Sequence, residues 1–171
     1  MNKDLTYTSI LKEYKSRIYK TCLSYIGDEE NAKDVLQDIC IIIWEKLETF
    51  KNESSISTWI FRISVNTCLM FNRKEKKIEK IPIDSFFQLF DDPSNIELKK
   101  LEEIQLKQLY ESISKLLEFD KMIIILYLNG FKYEQMSEIL GITISNVGVR
   151  MKRVREKIKL NIQNENSIEI Y

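Results

Sequence analysis

Arg150, Lys152, Arg153, Arg155, Lys157 and Lys159 crowd one short stretch, opposed only by Glu156. Side chains of this type at this density suit contact with a nucleic-acid groove: ammonium groups neutralise phosphates, and guanidinium groups also reach base edges. The segment around them, KYEQMSEILGITISNVGVRMKRVREKIK at 132–159, has the pattern of two helices pinched around Gly141. Met136, Ile139 and Leu140 give the first an apolar side, and Val147, Met151, Val154 and Ile158 continue at helical spacing in the second. Gly141 ends the first helix, where a left-handed cap costs no Cβ clash. Thr143 or Ser145 can cap the next, because a hydroxyl there accepts from an orphan backbone N–H. The outline is a helix-turn-helix whose second helix enters a DNA major groove. Two amphipathic helices around a glycine also occur in helical proteins at large, and a basic terminal helix is often only a solvated face, so the rest of the chain has to decide.

Charge is segregated along the 171 residues even though Lys plus Arg and Asp plus Glu balance at 26 each. Asp28, Glu29, Glu30, Asp34, Asp38, Glu45 and Glu48 face only Lys33 and Lys46 in one stretch. Arg73, Lys74, Lys76, Lys77 and Lys80 outnumber Glu75 and Glu79 in another. Such separation points to separate surfaces for a basic and a polyanionic partner. The chain has no His, which excludes His-based catalysis and any His-ligated metal. Cys22, Cys40 and Cys68 form no CxxC pair and fit buried thiols in a reducing cytoplasm. No catalytic residue, metal site, cofactor or small-molecule substrate is expected. No signal peptide is visible, and the richest apolar run, ICIIIW at 39–44, is far too short to cross a bilayer. A cytoplasmic protein without membrane insertion is the expectation.

With four Gly and two Pro, long helices are expected, giving an all-α fold of two small domains joined by a linker. The first domain spans 1–77 and holds three helices. One carries Leu11, Tyr14, Ile18, Cys22 and Ile26 and stops at Gly27. The second starts from Asp28 as cap and carries Ala32, Val35, Leu36, Ile39, Ile43 and Leu47. The third begins near Ser54–Thr58 and carries Trp59, Ile60, Ile63 and Met70. Pro82, Pro93 and the turn chemistry of DDPSN mark a linker over 78–96 that includes Phe86, Phe87 and Phe90. The second domain spans 97–161: a helix over 97–117, one over Phe119–Leu128, then the two helices around Gly141. The tail 162–171 is polar and expected to fray.

The first domain resembles that of bacterial RNA polymerase sigma factors, specifically the extracytoplasmic-function (ECF) group. Asp34, Gln37 and Asp38 match one motif. Phe50, Ser54, Ser55, Ile56, Thr58, Trp59, Ile60, Arg62, Ile63, Ser64 and Asn66 match the next, followed by Arg73 and Lys74. In the second domain Tyr133, Glu134, Met136, Glu138, Ile139, Leu140, Gly141, Ile142, Val147 and Arg150 carry the likeness. Gly148 and Val149 depart from the family's Lys-Ser, and Leu117 stands where a Pro is frequent.

The resemblance implies a factor that binds core RNA polymerase, directs it to a two-part promoter and assists melting. Asp34, Gln37 and Asp38, at i, i+3 and i+4 and extended by Glu45, would engage the clamp helices of the polymerase. The loop from Lys51 to Ser57 would receive a base flipped from the minus-ten element, with Asn52, Ser54 and Ser57 as hydrogen-bonding groups. Arg62, Asn66, Asn72, Arg73, Lys74 and Lys77 suit further minus-ten contacts. Phe61 could stack on single-stranded DNA, whereas Trp59 is better placed in the core. Ser145, Asn146, Val149, Arg150 and Arg153 would face the minus-thirty-five groove, with Lys132, Lys152 and Lys157 on phosphates. Whether an anti-sigma factor holds the chain is open from sequence. The alternative is a stand-alone helix-turn-helix regulator, which would leave the 29–77 pattern without a role.

Overall fold

The computed structural model describes residues 3–75, 108–109 and 111–168. The linker with its three phenylalanines, Lys77, and most of the expected helix 97–117 lie outside these residues, and so does the side chain of Lys74. Every regular element among the described residues is helical: α1 (Lys3–Ile26), α2 (Glu29–Lys46), a 3-10 turn (Leu47–Thr49), α3 (Ile56–Glu75), α4 (Glu118–Leu128), α5 (Tyr133–Leu140) and α6 (Ile144–Ile168). Residues 111–114 are helical as well.

Local chemistry sets the helix ends. Gly27, at φ 82°, closes α1, its N–H bonded to the Leu23 carbonyl at 2.9 Å. Asp28 caps α2 by accepting from the Asn31 N–H at 2.8 Å. Ser55 caps α3 by accepting from the Thr58 N–H at 3.1 Å. Gly141 is left-handed at φ 66°, ψ 33°, and its N–H returns to the Ser137 carbonyl. Of the two hydroxyls that could start α6, Thr143 is the cap, accepting from the Asn146 N–H at 3.2 Å. Ser145 lies inside the first turn.

Two expectations are corrected. The tail does not fray at 162: α6 continues to Ile168, where Ile162 still packs against the core and Asn161 Nδ2 donates to the Ser112 carbonyl at 3.4 Å. The apolar face of α3 is also rotated from the expected one. Ile60, Phe61, Val65 and Cys68 are buried while Met70 is 57% exposed. The reason is that α3 packs on α1 and α2 along one flank and on α5 along the other.

That second contact joins the halves. The buried side chains form one continuous cluster running from Ile10 to Ile158. At the junction Phe61 meets Phe131 edge to face, with ring centroids 4.7 Å apart. Arg17 lies against both rings, 5.2 and 5.4 Å from their centroids, and donates to the carbonyl of Asn129 at 2.9 Å. The last turns of α1 are consequently buried on all sides, from Thr21 to Ile26.

The two glycines of the helix-turn-helix should respond with opposite signs. Gly141→Ala forces a side chain into the left-handed region and should cost about 1 kcal/mol. Gly148 lies inside α6, and a Cβ there would meet only the Tyr133 ring, at an ordinary 3.9 Å. Gly148→Ala should therefore stabilise by up to about 1 kcal/mol. Urea unfolding of both variants reads the difference. Phe131→Ala should cost about 3 kcal/mol and split one calorimetric transition into two, since the cluster would be cut at the junction.

Candidate functional site

The acidic surface is built by α2 alone. Ala32, Val35, Leu36, Ile39 and Ile43 are buried, which turns Asp34, Gln37, Asp38 and Glu45 outward, all exposed. At 3.6 residues per turn Asp34, Asp38, Ile41 and Glu45 form one stripe, with Gln37 beside it. Lys33 is paired with Glu29 at 2.6 Å and leaves the stripe's carboxylates alone. Sequence reasoning missed an apolar neighbour to this stripe. Ile41, 55% exposed, and Met70 flank a cleft of about 260 Å³ between α2 and α3, into which Asp38 also faces. Ile41 sits out of phase with the buried positions of its run, the one sequence signal that could have exposed it.

The second site is a pocket of about 450 Å³ beside the loop that precedes α3, lined by Thr49, Phe50, Lys51, Glu53, Ser54, Trp59, Arg62 and Glu138. Of the expected minus-ten residues it gathers Lys51, Ser54 and Arg62. Asn52 does not join them. Its backbone is left-handed at φ 56°, a conformation asparagine tolerates, and it borders a separate groove against α1. Ser57 is half-buried and lines neither. Trp59 belongs partly to the core and partly to the pocket, its ring 5.0 Å from that of Phe50. Phe61 is fully buried against Phe131, so it offers no platform for a base. Along α3, Arg62, Asn66 and Arg73 are exposed on one stripe, while Asn72 is half-buried and turned away from it.

Arg62 is not idle in this pocket. Its Nε donates to the carbonyl of Glu138 at 2.8 Å, and its Nη2 donates to the same oxygen. Glu138 belongs to the last turn of α5. Arg17 likewise reaches the end of α4, where Asn129 is the cap residue. Two arginines of the N-terminal half thus meet the carbonyl ends of two helices of the C-terminal half, where the helix dipole favours cations.

The third surface is α6. Val147, Met151, Val154 and Ile158 are buried, and Ser145, Asn146, Val149, Lys152 and Arg153 are exposed. Lys132 is exposed at the start of α5. Arg150 and Lys157, expected among the DNA-facing cations, turn toward α4. Arg150 Nη1 and Lys157 Nζ bind the two oxygens of Asp120 at 3.4 and 2.7 Å. Arg150 Nε also bonds to Asn146 Oδ1 at 3.1 Å, and its guanidinium lies 4.7 Å from the centre of the Phe119 ring. Asp120 was not singled out from the sequence, because its partners lie 30 and 37 residues away, beyond any local spacing rule. No group of His, Cys, Asp and Glu among the described residues is placed to hold a metal ion. No helix among them is long and apolar enough to cross a membrane.

These three surfaces fall within two matched regions. Residues 10–78 match sigma-70 region 2, and residues 106–158 match sigma-70 region 4. The sigma factor SigV of Bacillus subtilis is 28% identical over 158 residues, covering 91% of this chain and 90% of the relative. The ECF sigma-E factor of Haemophilus influenzae is 26% identical, covering 92% and 87%. The solved structure of the sigma factor RpoE from Bartonella quintana, in complex with the anti-sigma factor NepR, superposes with a TM-score of 0.70 at 21% identity, covering 92% of this chain and 97% of that one. A stand-alone regulator would leave the region 2 match without a role. With both regions present in order and relatives matched along nearly their whole length, the chain belongs to the ECF group of RNA polymerase sigma factors.

Proposed function

We propose a division of labour among the three surfaces. The α2 stripe of Asp34, Gln37, Asp38 and Glu45 docks on core RNA polymerase, with Ile41 and Met70 adding apolar contact beside it. Lys51, Ser54 and Arg62 in the pocket, with Asn66 and Arg73 along α3, handle the minus-ten element. The outward face of α6 reads the minus-thirty-five element. The chain performs no catalysis of its own; it lends polymerase its promoter selectivity. An anti-sigma protein is a further expected partner. The observation that carries this reading is the geometric separation of charge: an acidic stripe exposed on α2, a basic arc exposed on α6, and each backed by buried apolar side chains.

The packed halves bear on how the work is done. By the positions in their names the two promoter elements lie about 25 base pairs apart, or about 85 Å at 3.4 Å per pair. A compact chain of this length has a radius of gyration of only about 16 Å. The halves must part to read both elements at once, and Arg62 must leave the Glu138 carbonyl to touch DNA. An exposed contact between a cation and a helix end is worth only about 0.3–1 kcal/mol, so its loss is a small cost of opening.

Reversing the α2 charge tests the polymerase assignment. Asp34→Lys combined with Asp38→Lys should abolish retention of the chain on immobilised core polymerase, with the far-ultraviolet circular dichroism unchanged. Retention at the wild-type level by a folded double variant would remove the stripe from the interface.

A further inference from the structure

Asp120 lies in the first turn of α4 and is only 6% exposed. Its two oxygens hold Lys157 at 2.7 Å and Arg150 at 3.4 Å. Those cations are seven residues apart, two turns along one flank of α6. One buried carboxylate therefore fixes both the rotation of α6 about its axis and the destination of two positive charges. Asn146 and the Phe119 ring hold Arg150 on the same flank. What remains on the outward arc is Ser145, Val149, Lys152, Arg153, Glu156 and Lys159.

We propose that Asp120 is a positioning residue that sets the selectivity of minus-thirty-five recognition by keeping Arg150 and Lys157 off the DNA phosphates. This rests on α6 being the helix that reads that element. Phosphate contacts raise affinity for any sequence, whereas base contacts distinguish one sequence from another. The carboxylate offsets one of the two positive charges and holds both groups on the α4 side, so the pair adds less to the salt-dependent, sequence-blind part of binding than two free cations would. Withdrawing two such cations lowers background affinity and leaves the base-facing side chains where they were. The ratio of specific to non-specific binding rises.

The test uses holoenzyme assembled from the full chain and core polymerase. Binding is measured across a range of salt on two duplexes, one with the upstream element intact and one with it scrambled. Asp120→Asn should steepen the slope of log affinity against log salt by about 1 to 2, since each new phosphate contact adds about 0.9. Affinity for the scrambled duplex should rise several-fold and the intact-to-scrambled ratio should fall. Asp120→Glu, which keeps the charge, should stay near wild type. Adding Lys157→Met to Asp120→Asn should take back about one unit of slope. A purely structural carboxylate would instead weaken binding to both duplexes with the slope unchanged, and that result overturns the proposal. Lysine acylation of wild-type holoenzyme needs no variant. DNA should protect Lys152 and leave Lys157 as reactive as before, and protection of Lys157 also overturns it. If wild-type holoenzyme fails to distinguish the two duplexes, the reading of α6 itself fails. If it distinguishes them and Asp120→Asn keeps the wild-type slope, only the role of Asp120 falls.

Discussion

The structure turns on α3 being buried along two flanks. Ile60, Val65 and Cys68 close the core with α1 and α2, while Phe61 reaches past them to Phe131 and brings the second half onto the first. Arg17 completes the joint, its guanidinium on both rings and one of its nitrogens on the end of α4. The joint takes up apolar side chains of both halves and leaves the charged stripes outside it. The acidic stripe of α2 and the basic arc of α6 remain reachable although the two halves share one core.

The joint combines parts of different strength. Aromatic burial is worth a few kcal/mol and is hard to undo without a replacement surface. The two arginine contacts to helix ends are polar and water can replace them. Closure of this kind suits the change from compact to extended chain proposed above for promoter binding. Its polar components release readily, and its apolar component is exposed only when something else compensates. The pocket beside the loop before α3 feels this directly, since Glu138 forms part of its wall and holds Arg62, which also lines it.

Much of this was legible in the sequence wherever one helix carried the whole signal. Asp28, Gly27 and Gly141 mark helix ends because capping and left-handed backbone depend on residues within three or four positions. The stripe of Asp34, Asp38 and Glu45 could be read for the same reason, since 3.6-residue periodicity places those side chains without reference to any neighbour. The phase of α3 was not legible. A helix buried on two flanks has no single apolar face, so the periodicity put Met70 on the core side and left out Val65, which is the buried one. The end of α6 was missed because its support comes from Ser112, 49 residues away, rather than from its own polar sequence. The pocket was read only in part. Its loop turns through a left-handed Asn52 that carries its amide away from the other polar groups. The ties of Arg62 to Glu138 and of Arg150 to Asp120 span 76 and 30 residues and exist only in the folded chain.

Promoter selection by polymerase is the property to which the three surfaces are proposed to contribute, and run-off transcription measures it without assuming any promoter sequence. Purified core polymerase would be supplied with this chain and a pool of templates carrying random upstream DNA. The account predicts transcripts that depend on the chain and come from templates sharing two short elements separated by a fixed spacing. Transcription at the level of core polymerase alone, or enrichment of a single element with no second one at a fixed distance, would contradict it.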